Sequence, residues 1–200
     1  MHMSTSIALA LALAAGQTAA DVRQLYDAGK YREVVGALEQ ATIEADKAAR
    51  LQYLAAQSYD KLKDAEAARR TYQRLADSGG ETPWSSIGLS AVQVMDKQLD
   101  EALESANRAT RVDAPPPEAH YQRGIVLMFR KDYGDALDAF TRATQLDPRF
   151  AAAYYYAGLA SSRIKRIDLM ANNFSMFIKL APNAPERPEV ESILRTVRGR

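Results

Sequence analysis

The sequence predicts an all-helical fold of about five consecutive helix pairs closed by a C-terminal helix. Three observations lead there. A pattern recurs every 34 residues along most of the 200-residue chain, apolar residues within each copy follow helical spacing, and proline or glycine breakers fall between copies. The recurrence is plainest between YQRGIVLMFRKDYGDALDAFTRATQLDP, residues 121–148, and the segment from Tyr154 to Pro182. Gly124 and Gly158 are 34 apart, and so are Lys131 and Lys165, Phe140 and Phe174, Leu146 and Leu180, Pro148 and Pro182.

The N-terminus stands apart. MHMSTSIALALALAAGQTAAD holds an apolar run from Ile7 to Ala15, too short to span a bilayer as a helix. Small residues follow, with Thr18 and Ala20 at the spacing a signal peptidase reads and Asp21 as the first acid. Residues 1–20 are therefore expected to be a signal peptide, although the segment before the apolar run lacks Lys and Arg. The alternative is an Ala-rich first helix of the fold, since Ala and Leu are strong helix formers. The first reading places the chain in the periplasm or outside the cell, the second in the cytoplasm.

From there the units begin near residues 15, 49, 83, 117 and 151 and run as 15–48, 49–82, 83–116, 117–150 and 151–184. The place of Gly124 is held by Val22, Ala56, Ser90 and Gly158 in the other units. Twelve residues further stand Val34, Ala68, Ala102, Ala136 and Met170, and four beyond those Leu38, Tyr72, Ala106, Phe140 and Phe174. Small residues at the first two places let two antiparallel helices cross closely. Ala56 with Ala68, Ser90 with Ala102 and Gly124 with Ala136 are the expected crossings, leaving Tyr72, Phe140 and Phe174 to fill the layers between pairs.

A short polar break divides each pair, at Gly29-Lys30, Lys63-Asp64, Lys97-Gln98, Lys131-Asp132 and Lys165-Arg166. A lysine ending the first helix suits the negative end of the helix dipole. Between pairs lie Gly79-Gly80, Pro115-Pro116-Pro117, Asp147-Pro148 and Pro182, and proline cannot continue a helix. Thr82 before Pro83 reads as an N-cap followed by proline at the first helical position. Residues 185–200 contain PEVESILRTVRGR, whose Val190, Ile193, Leu194 and Val197 form one face and whose acids precede its arginines. That is a helix suited to closing a stacked array.

This arrangement resembles the tetratricopeptide repeat family. Residues 117–150 match its pattern best, with Gly124, Tyr133, Ala136, Phe140, Ala143 and Pro148 at the signature places. The resemblance implies a right-handed superhelical solenoid over residues 21–184, with residues 185–200 as cap and tail. It implies a non-catalytic scaffold, in which first helices line a concave groove at the second, fifth, ninth and twelfth places of each unit.

Carried onto this chain, those places hold Arg50, Tyr53, Gln57 and Asp60, then Trp84, Ile87, Ala91 and Val94. The next unit supplies Glu118, Tyr121, Ile125 and Met128, and the last Ala152, Tyr155, Leu159 and Ser162. A groove of this kind, apolar and aromatic from Trp84 to Leu159, suits a partner helix or extended peptide. The expected partner-binding residues are Tyr53, Gln57, Trp84, Ile87, Tyr121, Ile125, Met128, Tyr155 and Leu159. The Lys/Asn/Arg clamp that some family members close on a peptide's C-terminal carboxylate is absent, because those places hold Tyr53, Gln57, Gly88, Glu118 and Gln122.

Composition narrows the function. With 26 basic and 25 acidic residues the net charge is +1, which gives no field for tracking nucleic acid. Cysteine is absent and only His2 and His120 are present, so thiolate chemistry is excluded and histidine catalysis has almost no material. Glu118 and His120, two apart on a helix, face different directions. No phosphate loop, metal-ligand spacing or cofactor signature occurs. The chain is thus expected to bind a protein or peptide, in the bacterial envelope, without catalysis, cofactor or integral membrane segment. A cytoplasmic scaffold, or a self-assembling repeat protein whose groove takes another copy, is the alternative.

Overall fold

The computed structural model describes residues 19–40, 45–80 and 82–198. The leader expected at residues 1–20 lies almost wholly outside them. Eleven helices and no strand occur among the described residues. The chain forms two compact bodies, one reaching Thr71 and the other starting at Tyr72.

The first body holds α1 (Ala19–Asp27), α2 (Tyr31–Gln40), α3 (Ala45–Lys61) and the opening turns of α4 (Ala65–Ala76). Both α1 and α2 pack on α3. Val22, Tyr26, Val34, Leu51, Leu54 and Ala55 make its core. Valines at both crossing places are accommodated, with Val22 and Val34 buried, and Ala56 and Ala68 are also fully buried.

The second body continues with α5 (Pro83–Met95), α6 (Leu99–Thr110), α7 (Pro117–Arg130), α8 (Tyr133–Leu146), α9 (Ala151–Arg163), α10 (Ile167–Leu180) and α11 (Arg187–Arg198). From α5 to α11 each helix packs on the next, and α5 also reaches α7. The start of α5 is as its sequence suggests: the Thr82 hydroxyl accepts from the Ser85 N–H at 3.1 Å, and Pro83 opens the helix. Gly88 lets α5 meet the end of α4 backbone to backbone, since a Cβ there would stand 2.6 Å from the Ala76 nitrogen.

The crossings show more than the small residues alone implied. Ser90 and Ala102 do meet, with the Ser90 hydroxyl donating to the Ala102 carbonyl at 2.9 Å. At Gly124, however, the neighbour is the ring of Phe140, and at Gly158 it is the ring of Phe174. These phenylalanines fill the crossing inside their own pair. Phe140 also stacks on Tyr156 of the following pair at 5.6 Å, so one ring serves both the crossing and the layer beyond it.

The break lysines are likewise more than dipole charges. Lys63, Lys97, Lys131 and Lys165 have φ between 61° and 69°, and Gly29, at the same place in the first pair, has φ 74°. Lys131 N–H donates to the Met128 carbonyl at 3.1 Å, and Asp132 N–H reaches back to Leu127 at 2.9 Å. Lys97 with Gln98, and Lys165 with Arg166, repeat this pairing. It is the Schellman closure, which satisfies the last carbonyls of a helix and requires a left-handed residue. Four turns place a lysine where glycine is easiest.

At the C-terminal end α11 keeps the register, with Ser192 standing 34 beyond Gly158. Val190 and Leu194 are buried in a cluster with Met170, Phe174 and Phe177. Glu189, Ser192, Arg195 and Thr196 are exposed, which leaves the other face polar. Amphipathic burial of this kind is how a terminal element closes a repeat stack.

Candidate partner-binding face

The nine residues expected to line a groove separate by burial into two groups, four buried and five half-buried. Tyr53, Trp84, Ile87 and Tyr121 are 0 to 5% exposed and belong to the core. Their first-helix places are right, but neighbouring side chains cover them. Tyr121 shows how: its ring lies 4.9 Å from Phe150, 5.7 Å from Phe140 and 5.7 Å from Tyr156. Burying such rings stabilises the body, and no partner reaches them without displacing that packing.

Tyr155 and Leu159 are half-buried and pack against the C-terminal cluster, with the Tyr155 ring 5.1 Å from Phe177. They too serve mainly the fold. In the first body Gln57 is half-buried. That leaves Ile125 and Met128, also half-buried, one turn apart on α7. With Tyr155 and Leu159 they are the apolar members of the nine that still meet solvent.

Beneath this face lies a buried polar chain. The Gln122 amide donates to the Ser90 hydroxyl at 3.3 Å, and that hydroxyl donates to the Ala102 carbonyl. Gln122 and Ser90 are buried, as is Glu118 one turn earlier. A buried polar group costs little only when hydrogen-bonded, so this chain ties α7 to α5 at a defined register.

His120 is half-buried on α7. Burial lowers its pKa from the ordinary value, and the cations of Arg142 and Arg123 lower it further. Arg123 is held by Asn107 at 2.9 Å and Arg142 by Gln145 at 3.1 Å. Among the described residues no group of His, Asp or Glu is placed to hold a metal ion. No helix among them is long and apolar enough to cross a membrane. A cavity of about 460 Å³ lies between α10 and α11, lined by Ser175, Ile178, Glu191, Leu194 and Arg195. None of the expected binding residues lines it.

Sequence reasoning missed Phe129, which is 60% exposed beside Met128. The signal was available: the equivalent places hold Met95 and Arg163, so no shared core position explains an aromatic there.

The fold and this face define a repeat scaffold of stacked helix pairs. Comparison gives the repeats their family: profiles described as tetratricopeptide repeat match residues 117–150 and residues 49–78. The chain therefore carries tetratricopeptide repeats at those places. Solved structures agree on the fold. TTC0263, a thermophilic tetratricopeptide repeat protein of Thermus thermophilus, superposes with a TM-score of 0.61 at 19% identity. That match covers 88% of this chain and 95% of TTC0263. YrrB, described as having an unusual peptide-binding site, gives 0.53 at 21% identity over 86% of this chain and 89% of its own. MamA gives 0.50 at 20% identity over 72% and 92%. No curated protein matches the sequence.

Proposed function

We propose that the protein is a non-catalytic scaffold that holds a segment of another protein against the first-helix face of α7. The observation that carries this is the partial solvent access of Ile125 and Met128 one turn apart on α7, beside the buried Tyr121. Such a pair gives an apolar anchor point flanked by polar surface, and interfaces draw most of their affinity from a few anchors. Tetratricopeptide repeats generally mediate contacts between proteins, and YrrB, of similar fold, has a peptide-binding site. Tyr155 and Leu159, likewise partly buried, stand at the equivalent first-helix places in the next pair.

The scaffold works in the bacterial envelope on this reading. Its support is the apolar run Ile7–Ala15 followed by Thr18 and Ala20, the pattern of an exported chain. Mass spectrometry of the protein from its native cell tests the location: a mature N-terminus near Asp21 agrees with export, and an intact Met1 contradicts it. Co-purification followed by binding measurements on Ile125→Glu and Met128→Glu tests the face. Undiminished binding by both variants rejects it.

A further inference from the structure

The cavity between α10 and α11 lies outside the α7 face, and the repeat explains why it exists. Its lining residues stand at repeat places that an earlier junction fills. Ser175 is 68 beyond Asn107, two periods on, and Glu191 is 68 beyond Arg123. Asn107 and Arg123 bridge α6 and α7 by a hydrogen bond of 2.9 Å. At the last junction each side chain turns elsewhere: the Ser175 hydroxyl donates to the Ala171 carbonyl at 2.7 Å, and Glu191 pairs with Arg187 at 2.7 Å. Arg195 is 68 beyond Leu127, which is buried. No helix among the described residues follows α11, and Arg195 is exposed.

What remains is an open groove of about 460 Å³, a size found among small-ligand sites. Half-buried Ile178 and buried Leu194 give it an apolar floor. The charge on its rim is one-sided once the ion pairs are assigned. Glu191 would ordinarily hold Arg195, four residues on, but it is taken by Arg187. Arg195 makes no ion pair or hydrogen bond among the described residues. Lys179, next to Ile178, is exposed and likewise unpaired there. Glu189, the other acid of α11, stands about 120° round the helix from Arg195, and Glu186 precedes α11 by more than two turns from it.

We propose that this groove binds a medium-chain carboxylate, its apolar chain along Ile178 and Leu194 and its head group on Arg195. A guanidinium presents two parallel N–H donors that match the two oxygens of a carboxylate. Complementarity of charge selects the anion. A neutral head group leaves Arg195 to water, and an ammonium meets Arg195 and Lys179 while Glu191 is engaged by Arg187. The chain supplies the rest of the affinity, since each buried CH2 contributes roughly fourfold. The groove shares no residue with the Ile125/Met128 face, and either stands if the other fails.

Titration of the full chain with octanoate below its micelle concentration tests the proposal, with the methyl groups of Ile178 and Leu194 followed by NMR. Octanol and octylammonium serve as the neutral and cationic comparators. The expected result is a saturable shift of both residues with octanoate, weaker binding of octanol and the weakest of octylammonium. Arg195→Gln should lower octanoate affinity about threefold to tenfold, as for a charge-assisted bond partly screened by solvent, and leave octanol unchanged. Ser175→Phe, which fills the groove, should abolish binding of both, with thermal melts confirming that each variant is folded. No saturable shift at Ile178 and Leu194, octanol or octylammonium binding as tightly as octanoate, or undiminished octanoate binding by Arg195→Gln would each overturn it.

Discussion

The ring of Phe140 lies across the backbone of Gly124, with its Cε1 only 2.5 Å from where a Cβ would stand. Tyr121 and Tyr156 hold that ring from other sides, so it has little room to retreat. Gly124→Ala is therefore expected to destabilise the second body by about 1–3 kcal/mol, the cost of overpacking a close contact. Gly134→Ala is the control: nothing lies within 4 Å of its Cβ position, and alanine in α8 should be neutral or gain up to about 1 kcal/mol. Urea unfolding of both variants checks the contrast.

The left-handed lysines make the opposite kind of prediction. Lys131 has φ 69°, where a side chain is strained and glycine is not. Lys131→Gly should gain about 0.5–1 kcal/mol after allowing for glycine's greater freedom when unfolded. A rise in Tm is expected, and a fall would show that the lysine side chain contributes more than its backbone costs.

Stability should also depend on pH through His120. Its folded pKa lies below the unfolded value of 6.5, so the unfolded chain binds more protons at mildly acidic pH. The contribution is fully present above 6.5 and is lost as pH falls through that value toward the folded pKa. His120→Gln should flatten this part of the stability profile, and the His120 imidazole should titrate below 6.5 by NMR. A titration above 6.5 would require an acidic neighbour in place of Arg142 and Arg123.

Trp84 supplies an optical check on the burial of the expected groove. At 5% exposed it should emit in the blue without any partner, and partner binding at α7 should leave that emission almost unchanged. Emission typical of a wet indole in the free protein would contradict the packing at the start of α5.

How much of this was legible follows from which interactions repeat. The 34-residue period is carried by close crossings inside the pairs, such as Gly124 with Phe140, Gly158 with Phe174 and Ser90 with Ala102, so the helices could be read directly. The turns were read half correctly. Lysine at Lys63, Lys97, Lys131 and Lys165 advertises charge, whereas the shared constraint is the left-handed backbone that Gly29 reveals in the first pair. The binding face was the least legible part. A place on a helix fixes the direction a residue faces but not how deeply its neighbours cover it. Tyr121 is covered by Phe150 from the loop before α9 and by Tyr156, neither of which holds a groove place. Phe129 escaped notice for the complementary reason: it answers to no repeated contact.

Affinity for an identified partner, measured by titration calorimetry with the wild type and with Met128→Glu, tests the central claim most directly. Met128 keeps partial contact with solvent, so the variant should fold and melt close to the wild type. Losing an anchor commonly costs an interface about 2 kcal/mol or more, which corresponds to at least ~30-fold weaker binding. That is the result expected if α7 holds the partner. Equal affinity for the two proteins would place the partner elsewhere and contradict the account.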